Sequence, residues 1–135
     1  MGAWAADALG NDTACDWAED FFSQPSPDAI ELAINAVLNA QDYLDSDVAC
    51  EALAAVEIVA GLKAGAETKN PYSGNINQLA GMAEFVPSDS LLCAAENALE
   101  RILGDNSELQ ELWDEDGTNE EWHREMNSLL ARISS

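Results

Sequence analysis

Asp47–Leu62 reads DVACEALAAVEIVAGL, and the interpretation of this stretch decides the fold. Ala49, Ala52, Leu53, Val56, Val59 and Ala60 recur at helical spacing and make one apolar stripe. Ile58 lies off that stripe, and Glu51 and Glu57 are the charged residues of the interior. A helix that is apolar almost all round has to be covered by neighbours. The stretch therefore predicts a central helix with other helices packed about it.

Helical spacing also dominates on either side. Upstream, Asp12–Phe22 forms a first helix with Asn11 as its N-cap. Ala14, Trp17, Ala18, Phe21 and Phe22 share its inner face, opposite Asp12, Asp16, Glu19 and Asp20. Pro25-Ser26-Pro27 interrupts the chain and restarts it, with Ser26 as N-cap and Pro27 at the first helical position. The second helix presents Ile30, Ala33, Ile34, Val37 and Leu38 to the core. Downstream, the glycine- and asparagine-bearing stretch from Lys63 to Asn75 reads as the longest loop. A short helix follows from Ile76 to Phe85 and stops before Pro87. Ser88 or Asp89 caps the next helix, which buries Leu91, Leu92, Ala95, Leu99, Ile102 and Leu103, with Gly104 at the position after its C-cap. Ser107 starts a short helix ending near Trp113. Thr118 and Glu121 make a capping box for the last helix, which buries Trp122, Met126, Leu129, Leu130 and Ile133. The expectation is an all-α fold: residues 1–135 as a single compact bundle of six or seven helices.

The surface of this bundle is strongly acidic. Twenty-six Asp and Glu face five Lys and Arg in 135 residues, a formal net charge of −21. Such a field repels polyanions and anionic membranes and attracts basic proteins. Direct nucleic-acid binding is disfavoured, since no basic patch exists to neutralise phosphates. No apolar run approaches the ~18 residues needed to span a bilayer. The first Lys or Arg is Lys63, so the N-terminus lacks the basic region of a signal peptide. Cys15, Cys50 and Cys93 are odd in number and far apart, which argues against a disulfide framework and a structural zinc site. The chain reads as cytoplasmic.

The densest charge runs from Asp105 to Glu121: Asp105, Glu108, Glu111, Asp114, Glu115, Asp116, Glu120 and Glu121, without an intervening base. Spacing by three lays Asp105, Glu108, Glu111 and Asp114 along one slowly turning stripe. Two readings compete: a docking surface for a basic protein, or a solvated face that keeps the chain soluble, the usual meaning of such a run. Asp114-Glu115-Asp116-Gly117 is not a calcium loop, because Leu112 and His123 would fall on its two end ligand positions. His123 stands alone, so Glu120 and His123 form half of a di-iron helix motif without a second copy. It reads as a boundary histidine. Cys93 falls on a polar face near Glu96 and Glu100, where a thiolate is disfavoured. Cys15, Trp17 and Trp122 read as core, and Trp4 as an anchor for the N-terminal segment.

Met1-Gly2-Ala3-Trp4 followed by Asn11-Asp12-Thr13-Ala14-Cys15-Asp16-Trp17 resembles the opening of the bacterial domain-of-unknown-function family numbered 4259, whose members typically begin M-G-x-W-G and continue to N-D-x-A-x-D-W. Ser107-Glu108-Leu109, Glu111-Leu112-Trp113 and Trp122 resemble its C-terminal part. Ala5 departs from the usual glycine. The resemblance implies a helical body and no activity. Within the motif, Asp12 and Asp16 lie one turn apart and are suited to hold a cation: Arg101, Arg124, Arg132 or a partner's basic side chain.

Neither a catalytic constellation nor a cofactor or metal site is legible. The leading functional expectation is an immunity- or inhibitor-like interaction module that binds or masks a basic protein through Asp12, Asp16, Glu108, Glu111, Asp114, Glu115, Asp116 and Glu120. The alternatives are an enzyme or small-ligand-binding domain with a site between helices, and acidity that serves solvation alone.

Overall fold

The computed structural model describes residues 12–64, 73–116 and 119–134. They form seven α-helices: α1 (Asp12–Ser23), α2 (Pro27–Leu38), α3 (Ser46–Ala64), α4 (Ser73–Ala80), α5 (Asp89–Leu103), α6 (Glu108–Asp116) and α7 (Asn119–Ser134). A 3₁₀ turn over Ala83–Phe85 links α4 to α5. Among the described residues there is no strand and no helix long and apolar enough to cross a membrane. The roles expected of Trp4, Asn11 and Thr118 lie outside the described residues, as does most of the loop after Lys63.

α3 is the axis of the molecule and touches all six other helices. Every residue from Ala52 to Ala60 is buried. Ile58, off the expected stripe, is fully buried as well, because α3 is covered on more than one side. Small side chains make close approach possible: Ala54 packs against Ala14 and Ala18 of α1 in a small apolar cluster.

Among the described residues one charged side chain is buried in this interior. Glu57 is 5% exposed and accepts two hydrogen bonds from the Arg132 guanidinium of α7, at 2.8 and 2.9 Å. A buried carboxylate needs such a partner, because its desolvation would otherwise cost several kcal/mol. Lys63 Nζ donates to the Ile133 carbonyl at 2.9 Å, a second α3–α7 link that satisfies a C-terminal helix carbonyl.

The outer helices bury one face each. α1 supplies Phe21, stacked on Trp17 at 5.4 Å and edge-on to Phe85 of the 3₁₀ turn at 6.3 Å. α7 supplies Trp122, Met126, Leu129 and Ile133, all essentially inaccessible. Each such side chain contributes roughly 1.5–3 kcal/mol relative to exposure. Leu91, Leu92, Leu103 and Leu130 are half-buried at the core's margin, and so is Cys15. Leu38 is exposed, against expectation: α2 ends at that residue, and no further element among the described residues covers it.

Helix ends follow local chemistry with two departures. Ser88 caps α5 by accepting from Leu91 N–H at 3.1 Å. Ser26 occupies the N-cap position of α2 ahead of Pro27, yet its hydroxyl makes no capping bond. Gly104 ends α5 in an extended conformation (φ −91°, ψ −163°), and the left-handed residue of the turn is Asn106 (φ 59°). Asparagine tolerates that region better than other side-chain-bearing residues.

That turn closes a clasp. Leu44 N–H donates to the Asn106 carbonyl at 2.7 Å, and Glu108 N–H donates to the Leu44 carbonyl at 2.9 Å. The two bonds form an isolated parallel bridge between Leu44 and Ser107. Arg101 reinforces it by donating to the carbonyls of Asp105, Asn106 and Asp42. The α2–α3 and α5–α6 connections are thereby fixed to one another, which places the start of α6 beside the start of α3.

Candidate functional site

The positive end of α3 is the centre of the acidic region. Asp45 precedes the helix and caps it: its Oδ1 accepts from Asp47 N–H at 2.8 Å and Val48 N–H at 3.4 Å. Glu108, the first residue of α6, reaches across and accepts from Ser46 N–H at 2.9 Å. Two carboxylates thus satisfy three of the amide groups that a helix start leaves free. The macrodipole of a 19-residue helix favours both charges there.

Further acids gather around these caps. Thr13 Oγ1 of α1 donates to Asp47 Oδ1 at 3.3 Å, so the N-termini of α1 and α3 lie together. Exposed Asp16 is on α1 one turn further along. On the other side, half-exposed Tyr43 donates its hydroxyl to Glu111 Oε1 at 2.6 Å. The Tyr43 hydroxyl pKa is pushed up from 10 to about 12, by that bond first, then by partial desolvation and by the charges of Glu111, Glu108 and Glu115. Glu51 is held above the usual carboxylate range by partial burial and by Asp47 one turn before it.

The expected α6 stripe is therefore corrected. Asp105 sits in the turn before the helix. Glu108, Glu111 and Glu115 all act on Tyr43, as the i, i+3, i+7 spacing of one helical face requires. Asp114 belongs to a different face, where it accepts from Gln110 Nε2 at 3.2 Å. The same Gln110 Nε2 lies 3.4 Å from His123 Nε2, which ties α6 to α7. A step of three residues covers 300°, so four acids spaced by three drift off any one face.

Glu120 is exposed at the start of α7, and Asp12 and Asp16 both belong to α1. The side chains of Asp12 and Asp116 lie outside the described set. Two of the arginines considered as partners for Asp12 and Asp16 are engaged elsewhere: Arg132 with Glu57, and Arg101 with backbone carbonyls. Thr13, Asp42, Tyr43, Asp45 and Asp47 were not among the expected site residues. Of these, Asp45 alone had a local signal, an Asp immediately before a helix.

The chemistry of this region is that of a charged surface. A phenol with a pKa of about 12 stays protonated at neutral pH and acts as a donor, not as a base. Among the described residues no group of three or more His, Cys, Asp or Glu is arranged to hold a metal ion.

A family model, Domain of unknown function (DUF4259), matches residues 2–125. The chain belongs to this family. The DUF4259 match spans every acid of the region just described, from Asp12 to Glu120. No curated protein and no solved structure matches the chain.

Proposed function

We propose that this protein is an interaction module that binds and masks a basic protein, using the acidic end where α1, α3 and α6 begin. One observation carries this reading. Two acid groups far apart in sequence, Asp16 on α1 and Glu108–Glu115 on α6, flank the same two residues, because Ser46 bonds Glu108 and Asp47 bonds Thr13. Charge concentrated on one face steers an oppositely charged partner and speeds association. Tyr43 adds an aromatic face beside these acids, suited to a lysine or arginine of the partner.

Affinity capture from lysate on the immobilised protein, at low and then high salt, followed by mass spectrometry, tests the proposal. A basic protein retained at low salt, released at high salt and lost with the variant carrying Asp16→Asn and Glu115→Gln is expected. Capture that ignores both salt and these substitutions would exclude it.

A further inference from the structure

We propose that Gln110 is a proton-operated latch between α6 and α7: when His123 takes up a proton from solvent, the Gln110 carboxamide turns over and links Ser107 to His123. Gln110 Nε2 lies 3.4 Å from His123 Nε2 and donates to the Asp114 carboxylate at 3.2 Å. The other end of the same amide, Oε1, is buried and makes no hydrogen bond among the described residues. The hydroxyl of Ser107, three residues earlier, is buried and unbonded as well.

A carboxamide nitrogen only donates. Its contact with His123 therefore requires a bare ring nitrogen at Nε2, which neutral imidazole provides when Nδ1 carries the proton. Protonated imidazole has an N–H on both nitrogens, so the same contact becomes donor against donor. Half a turn of the amide resolves it. Oε1 then accepts from His123 Nε2–H, and Nε2 swings to the buried side, where Ser107 Oγ accepts from it. Ser107 stands at the N-cap of α6, its carbonyl accepting from Glu111 N–H at 3.1 Å, and Gln110 is the third helical residue. That is the spacing at which side chains at the two positions reach back to one another. Both buried acceptors gain a donor, and Asp114, which loses one, is exposed and turns to water.

Histidine is the side chain whose charge changes within the physiological pH range. Among the described residues, the charged groups beside His123 are Asp114 across the amide and Glu120 and Arg124 on α7, all exposed. On α6, Glu108, Glu111 and Glu115 face Tyr43 instead. α3 and α5 pack on the buried side of α7. From α3, Glu57 and Lys63 meet Arg132 and Ile133 towards the other end of α7, and Glu51 lies beside Asp47. From α5, Asp89, Glu96, Glu100 and Arg101 lie outside the buried set. The latch does not depend on a binding partner, so it stands apart from the function proposed above.

Solution NMR of the isotope-labelled full chain tests it, from about pH 8 to about pH 5.5, the range in which a histidine changes charge. At the upper end the His123 ring should carry its proton on Nδ1. The Gln110 side-chain NH₂ signals, identified by their loss in Gln110→Leu, should then move with the same midpoint as the ring. In His123→Gln they should stay in place. Ser107→Ala should keep the upper-end signals, since its hydroxyl bonds nothing there, and should at least halve the movement. Should His123→Gln fail to fold, as circular dichroism would show, the parent titration and Ser107→Ala still decide. A ring proton on Nε2 at the upper end, or Gln110 signals that stay still while the ring titrates, overturns the proposal. So does a movement that persists in full in Ser107→Ala or in folded His123→Gln.

Discussion

Arg132→Met removes the guanidinium that holds Glu57 and keeps an unbranched side chain in its place. The two bonds lost measure 2.8 and 2.9 Å, and the carboxylate left behind is 5% exposed within the central helix. Breaking a buried pair from one side costs about 3–5 kcal/mol, because the remaining charge keeps its desolvation penalty without its partner. Native domains have about 5–15 kcal/mol in total, so the variant should lose a large share of its stability. Urea unfolding followed by far-ultraviolet circular dichroism measures the change. With a slope of about 2 kcal/mol per molar, the midpoint should fall by roughly 2 M. Adding Glu57→Met to Arg132→Met should restore most of the stability, since the buried charge that Arg132 balanced is gone. A single variant within about 0.5 kcal/mol of the parent, the range of an ordinary surface substitution, would refute the reasoning. So would a double variant no more stable than the single one.

Asn106→Ala should destabilise by about 1–2 kcal/mol, the cost of a left-handed backbone, while Asn106→Gly should cost little in the same urea titration. Equal effects of the two would show that φ is not what the position demands. The tyrosinate absorbance of Tyr43 should appear near pH 12, two units above the ordinary value of 10, and Glu111→Gln should lower that midpoint. The stability linked to this phenol is fully present below pH 10 and is lost as pH rises from 10 towards 12. An unchanged midpoint in Glu111→Gln would remove Glu111 as the cause. Added NaCl should raise the melting temperature, on the order of 4 °C for each kcal/mol of self-repulsion screened. The i, i+4 pair Glu111 and Glu115 is one source of that repulsion. A flat response would contradict it.

The helices and their inner faces were legible because each is written locally. The Ala52–Ala60 run could be read as enclosed from its composition, and Ser88 could be read as a cap from its position. Ends set by tertiary context were not legible. Glycine after a helix suggests a left-handed turn, yet here the chain leaves extended at Gly104 and reverses at Asn106, where the Leu44 clasp takes hold. Leu38 fits the core stripe of α2, but a periodic pattern does not say where the covering elements stop. The acids of the candidate region were visible individually, and their meeting was not. Thr13 and Asp47 are 34 residues apart, and Tyr43 and Glu111 are 68 apart. No local pattern encodes contacts of that range. The same holds for Glu57 and Arg132, separated by 75 residues, although a charge inside an enclosed helix already demanded some partner.

The salt dependence of association with a basic protein, once one is captured as proposed above, tests the central claim most directly. Stopped-flow rates would be compared for the parent, for Asp16→Asn with Glu115→Gln, and for Glu84→Gln with Asp89→Asn. Both variants remove two exposed charges, but the second pair lies on the 3₁₀ turn and the far end of α5. The account predicts that the first pair slows association and flattens its salt dependence while the second leaves both near the parent's values. Equal slowing by the two pairs would mean that the net charge acts diffusely, and it would contradict the assignment of the acidic end as the binding surface.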